Sequence, residues 1–250
     1  MNFMEKLQQA MPANVKPAFG SFAELQAFHH DEAVRFGREC SDRQQQGRIT
    51  QAMGRSGIKK NYAQCSLDNF RTDFMGYDAS ARQGQQKNVQ AARQWLALYR
   101  RGQAGGFVML GTPGTGKNHL ASALGNAILA QGGSVLIATV SELMIRIKDT
   151  YRNDSQLTEA KIIKWLSHVD LLVLDEVGIQ NRSVNENVLI NEVINQRSMR
   201  NKPTGVLSNL DQNGLVEVLG ARAVDRILEG NSMWLSFNWP SFRQMKRRAG

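Results

Sequence analysis

The chain has 250 residues, 42% of them hydrophobic and 21% charged, which is enough for one large globular domain with an appendage. No run approaches the roughly 18 apolar residues of a membrane span, and Met1 to Lys6 leads into polar sequence without a secretory apolar stretch, so a cytoplasmic protein with no membrane partner is expected. Cys40 and Cys65 are too far apart for a CxxC redox or zinc motif and no histidine cluster joins them, while the net charge of +9, most of it on residues 71–250, points to a polyanionic partner.

The first 50 residues read as a small helical domain. Ser21 and Glu24 have the spacing of a capping box that starts a helix at Phe22. At 100° per residue, Phe22, Leu25, Ala33, Phe36 and Cys40 share one stripe, with Phe28 at its edge. Such a stripe serves either self-packing or docking on another protein. Residues 51–66, polar and containing Gly54 and Gly57, read as an exposed linker.

From residue 67 to 250 short apolar runs alternate with helical segments, the pattern of a parallel sheet covered on both faces. Five strands are expected, at 107–110, 135–140, 171–175, 204–209 and 233–237. Helices are expected at 117–131, closed by Gly132 and Gly133, and at 141–151, 157–168 and 184–199, the last with a Ser183 to Glu186 capping box.

Behind the first strand stands GTPGTGKN, residues Gly111, Thr112, Pro113, Gly114, Thr115, Gly116, Lys117 and Asn118, in the strand-loop-helix context of a Walker A loop. Its glycines let backbone N–H groups turn toward phosphates, and the helix opening at Lys117 adds the positive end of its dipole. Lys117 is placed to bridge the β- and γ-phosphates of ATP. Where serine or threonine normally offers Mg²⁺ a hydroxyl, the chain has Asn118, whose amide oxygen can ligate the ion or hold its water; Mg²⁺-ATP binding with slow turnover is expected. The strand DLLVLDE ends in Asp175, suited to the Mg²⁺ shell, and Glu176, suited to polarising the attacking water.

The order and wording of these motifs resemble the AAA+ class, and within it the DnaC-type loaders of the bacterial replicative helicase. The stretches MPANVKPAF (11–19), CSLDNFR (65–71), GTPGTGKNHLA (111–121), KDTYRN (148–153), VDLLVLDEVG (169–178), LGARAVDRI (219–227) and FNWPSFR (237–243) carry the resemblance, including the Asn118–His119 pair. It implies a P-loop AAA+ core with a five-stranded parallel sheet, no full C-terminal lid and a small N-terminal helical domain. Asn209 then matches the sensor-1 residue that orients water, and Arg226 the arginine finger that enters a neighbouring subunit's site, with Arg222 one turn earlier on the same face. Arg243 matches the sensor-2 arginine. Phe70 and His119 join the nucleotide set, Phe70 beside the adenine, although core packing suits Phe70 as well. Lys148, Tyr151 and Arg152 are implied in single-stranded DNA binding, two cations for phosphates and a ring for stacking. Leu25 and Phe28 are implied in gripping a hexameric, DnaB-type helicase. The implied function is ATP-dependent loading of that helicase onto single-stranded DNA, with slow, partner-stimulated hydrolysis and self-association through the nucleotide sites. A transposition helper of the IstB type and a non-hydrolysing nucleotide-binding adaptor remain as alternatives.

Overall fold

The computed structural model describes residues 23–24, 26–32, 34–36, 47, 56–73, 76–151, 157–178 and 184–249. The chain divides into two units, Met1–Thr50 and Gln51–Gly250. In the first, residues 26–32 and 34–36 are helical, and Phe28 and Phe36 are exposed. Ser21, Phe22, Leu25, Ala33 and Cys40 lie outside the described residues.

The second unit is built on five parallel strands in the order β2-β3-β4-β1-β5. They are β1 (Ala104–Gly111), β2 (Val135–Thr139), β3 (Leu171–Val177), β4 (Thr204–Ser208) and β5 (Asn231–Phe237). Among the described residues eight α-helices accompany them: α1 (Ala79–Arg100), α2 (Lys117–Leu129), α3 (Val140–Asp149), α4 (Glu159–His168), α5 (Val184–Ser198), α6 (Gln212–Leu219), α7 (Ala221–Ile227) and α8 (Phe242–Ala249). All five expected strands are present. The central ones are buried on both faces, which is why β3 opens on the apolar run Leu171 to Leu174 and neither β3 nor β4 alternates with polar residues from its start.

Helix α1 was not singled out by the apolar runs, yet its signals are ordinary ones. Asp78 caps it, accepting from Ala81 N at 2.7 Å. Ala81, Gln85, Asn88, Val89, Ala92, Trp95 and Leu96 form its buried face at helical spacing. Polar Gln85 and Asn88 dilute that stripe and hide it from a hydropathy reading. Trp95 locks the helix to the sheet, stacked on Tyr99 and edge-on to Phe107 with centroids 5.2 Å apart. Thr139 and Glu142 form a capping box at α3, with bonds of 3.1 and 2.9 Å. Ser183, expected to cap α5, lies outside the described residues.

The expected exposed linker is corrected over its second half. Residues 56–66 lie against the sheet domain: Ile137 N donates to Ser56 O at 2.9 Å, and Asn126 Nδ2 reaches the carbonyls of Tyr62, Ala63 and Cys65 at 3.1, 3.2 and 2.8 Å. A polar, glycine-bearing stretch looks like a tether in sequence, but its backbone carbonyls answer a side chain 60 residues downstream. Cys65 is buried as a free thiol, and burial pushes its pKa up, so it is a poor nucleophile.

Behind the sheet, Arg197 on α5 is wholly buried with no carboxylate in contact. Its guanidinium donates to Thr204 Oγ1 at 3.0 Å and to the carbonyls of Leu166, Val169 and Pro203 at 2.5, 2.7 and 2.7 Å. One planar fork therefore ties the end of α4, the entry to β3, α5 and β4 together.

Candidate nucleotide-binding site

The C-terminal edges of β1, β3 and β4 open on a cleft of 440 Å³, where a parallel sheet places its ligands. The loop 111–117 forms its floor, and Gly111, Gly114 and Gly116 all take positive φ, at 147°, 82° and 107°. Two of these glycines are also required by contact. A Cβ on Gly116 would come within 2.8 Å of the Phe70 ring, and one on Gly114 within 2.2 Å of Ser241 Oγ. Thr115 Oγ1 closes the loop on Thr112 O at 2.8 Å.

Lys117 stands at the first turn of α2, 6% exposed. Its ammonium donates to Gly111 O, to Thr112 O at 3.0 Å and to Asn209 Oδ1 at 2.9 Å. Three acceptors use all three protons, and none is a charged group. Burial lowers the Lys117 pKa to about 8, opposed by the nearby Asp175 carboxylate. The lysine is a desolvated cation held by neutral carbonyls, which an anionic phosphate would satisfy better.

Asp175, buried at the end of β3, has both oxygens engaged. Oδ2 accepts from Asn118 Nδ2 at 2.7 Å and Oδ1 from Glu176 N at 2.8 Å. The carboxylate fixes the Asn118 amide with its NH₂ end inward, leaving Asn118 Oδ1 as the atom that faces elsewhere. Glu176 takes φ of 56° at an irregularity in the β3–β4 register, an uncommon conformation for a non-glycine residue, and is exposed in the cleft wall. Strand alternation separates the buried acid from the exposed one, and the kink keeps both at the same cleft.

Whether these groups suit Mg²⁺ can be tested on the donor set. Among the described residues no group of three or more His, Cys, Asp or Glu could by itself hold a metal. One buried carboxylate and one amide carbonyl beside a phosphate cradle fit Mg²⁺, which keeps waters and relies on phosphate oxygens for much of its shell.

His119, one residue on, has Nε2 at 2.9 Å from Asn69 Oδ1 and 3.3 Å from Ser66 O, and its ring is edge-on to Phe70 at 5.2 Å. Burial lowers its pKa. It braces the bent 65–71 segment against α2 and thereby sets Phe70 over Gly116. Phe70 thus both lines the cleft and packs on the loop.

Arg243 reaches the cleft through the segment 239–243. Trp239 Nε1 donates to Thr115 O and Phe242 N to Gly114 O, both at 2.9 Å, and Tyr77 Oη donates to Pro240 O at 2.9 Å. These bonds bolt FNWPSFR to the loop and put Arg243 in the wall at the start of α8. Arg222 and Arg226 are exposed on α7 and do not line this cleft. Lys148 is ion-paired with Glu186 at 2.8 Å, and Tyr151, 61% exposed, donates its hydroxyl to Glu159. Lys148 and Tyr151, the two described members of the implied DNA-binding set, are therefore held by carboxylates. Arg152 lies outside the described residues. The cleft also takes in Tyr62, Tyr77 and Gln85, which lie in none of the quoted stretches, and Arg71 and Phe242, which lie in quoted stretches but were assigned no role.

Comparison with known proteins agrees with this geometry. The family model for IstB-like ATP binding proteins matches residues 38–248. A replicative helicase loader DnaC from Buchnera aphidicola subsp. Schizaphis graminum is 41% identical over 246 residues, 98% of this chain and 96% of the relative. The replicative helicase loader DnaC of Escherichia coli K12 is 38% identical over 242 residues, 97% of this chain and 95% of the relative. A crystal structure of a DnaC helicase loader superposes with a TM-score of 0.57 at 24% identity, covering 71% of this chain and 99% of the other, and shows the same fold.

Proposed function

Because the chain belongs to the IstB-like ATP-binding proteins, and among them to the DnaC replicative helicase loaders, we propose that it loads a replicative helicase onto single-stranded DNA in an ATP-dependent step. It is an ATPase of the P-loop class. The observation that carries the proposal is the linked set Lys117, Asn118, Asp175 and Asn209, which joins the phosphate loop to both neighbouring strand ends through side-chain hydrogen bonds. A γ-phosphate arriving at Lys117 competes with Asn209, so the state of the nucleotide is felt at the end of β4. Full-length likeness to loaders favours this reading over a transposition helper, whose shared feature is the ATP-binding core.

Residues 1–50 dock on the helicase, with the exposed Phe28 ring and Leu25 as anchors. Asp175 and Asn118 would hold Mg²⁺, which would supply charge neutralisation at the phosphates, Glu176 aligns the attacking water, and Arg243 contacts phosphate from the cleft wall. Arg226 completes the site of an adjacent copy. Hydrolysis is slow and rises when the partner and single-stranded DNA are present, because Asn118 lacks the hydroxyl that usually meets the metal.

The deciding experiment mixes the chain with its replicative helicase and ATP and follows transfer of the helicase ring onto closed single-stranded circles. Loading that occurs with the wild type, and is lost in Arg226→Ala but not Arg222→Ala, supports the assignment. Equal loading with and without the chain refutes it.

A further inference from the structure

Helix α1 contributes one side chain to the cleft that phosphate chemistry leaves unused. Gln85 is 2% exposed, stands in the cleft wall, and its Oε1 has no hydrogen-bond partner among the described residues. Its polar neighbours on the same buried face are satisfied: Asn88 Nδ2 donates to Ser236 O at 3.0 Å and Trp95 Nε1 to Gly105 O at 2.9 Å. A buried amide oxygen loses its water on folding and stays costly until something donates to it. A leucine or methionine would fill the same place on α1 without that cost, so packing does not account for a carboxamide.

The surroundings identify the missing donor. Lys117, the acids Asp175 and Glu176 and the neutral amide of Asn209 mark where phosphates go, while Gln85 shares its wall with Phe70, Tyr77 and Phe242, flat apolar surfaces of the kind a base packs on. The Tyr77 hydroxyl is already committed to Pro240 O at 2.9 Å and does not compete for Gln85. A carboxamide presents an acceptor and a donor side by side. Adenine presents the N6 amino donor beside the N7 acceptor, whereas guanine presents O6 and N7, both acceptors. Rotation about the terminal torsion of glutamine, which is broad and two-fold, is sufficient to turn the amide toward a base edge.

We propose that Gln85 reads the base: Oε1 accepts from adenine N6, Nε2 donates to N7, and the cleft thereby selects ATP over GTP. This rests on the cleft being the nucleotide site. The test uses the full chain and displaces a fluorescent ADP analogue with ATP, GTP, 7-deaza-ATP, which lacks N7, and purine riboside triphosphate, which lacks the amino group. Wild type is expected to favour ATP over GTP by about tenfold to hundredfold, the range of one bidentate contact, and to bind both analogues several-fold more weakly than ATP. In Gln85→Leu the ATP to GTP ratio falls to within about twofold of unity, and 7-deaza-ATP binds as ATP does. A variant that keeps the wild-type ratio overturns the proposal, as does a wild type that binds ATP and both analogues alike. The analogue series needs no substitution, so it decides the matter even if Gln85→Leu folds poorly. Lys117→Ala separates the two levels: unchanged ATP binding there defeats the nucleotide site itself, while lost binding alongside an unaltered base preference in Gln85→Leu defeats only the role of Gln85.

Discussion

Raising the pH from 7 to 9 should weaken nucleotide binding about tenfold through one group. Burial brings Lys117 to a pKa of about 8, so in the free protein about nine-tenths of the molecules have the charged lysine at pH 7 and about one-tenth at pH 9. A triphosphate meets only the charged form well, and its own charge raises the lysine pKa in the complex. Apparent affinity then scales with the charged fraction, and binding takes up a proton above pH 8. For the nucleotide-free chain the sign is the reverse. A base whose folded pKa is depressed costs stability below the folded value, and that cost fades as pH rises from about 8 toward the unfolded 10.5. Titration calorimetry with ATP across this range, repeated in buffers of different ionisation enthalpy, reads both the affinity and the proton uptake. Lys117→Arg keeps its charge throughout and should lose the slope whatever its absolute affinity. A flat wild-type profile from pH 7 to 9, or the same slope in Lys117→Arg, refutes the reasoning.

Replacing the unusual loop residue by Asn118→Thr supplies a hydroxyl for Mg²⁺ and removes the 2.7 Å bond to Asp175. Hydrolysis in a coupled ATPase assay should rise by about tenfold, with a lower Mg²⁺ requirement, and an unchanged rate would show that the asparagine is not what limits turnover. Were single-stranded DNA to bind at Lys148 and Tyr151, as the family resemblance implies, it would displace the carboxylates that hold them, so Glu186→Gln and Glu159→Gln should each tighten binding several-fold, while Tyr151→Ala weakens it. Fluorescence anisotropy at several salt concentrations checks this, and a wild-type affinity in all three variants would take these residues off the DNA surface. Arg197→Met strands the carbonyls of Leu166, Val169 and Pro203 in the core, at a cost of about 3 kcal/mol or more, and should lower Tm by about 6–12 °C in calorimetry. A change below about 2 °C would mean that the fork is dispensable.

The parts of the molecule that were legible in sequence are those whose cause is local. The inner strands β1, β3 and β4 announce themselves as short runs because they are buried on both faces, the edge strand β5 by the alternation of buried Met233, Leu235 and Phe237, and the loop 111–117 by its closely spaced glycines ahead of Lys117. The acids at 175 and 176 follow from their place at a strand end. The resemblance of seven stretches to a known family added Asn209, Arg226 and Arg243, which no spacing on its own would have marked. Helix α1 and Gln85 escaped because two amides interrupt the apolar stripe, and residues 56–66 were read as tether because the groups that hold them, Asn126 and Ile137, are far along the chain.

Local pattern therefore determined which segments become strands, where a triphosphate is cradled and which residues oppose it. Tertiary structure alone decided that 239–243 braces the loop through Gly114 and Thr115, that Phe70 lies against Gly116, and that Gln85 faces the same cleft. The physical reason is the strand order. Placing β1 between β4 and β5 brings together groups separated by more than 100 residues, and such proximity is a property of how the layers pack and leaves no periodic mark in the sequence.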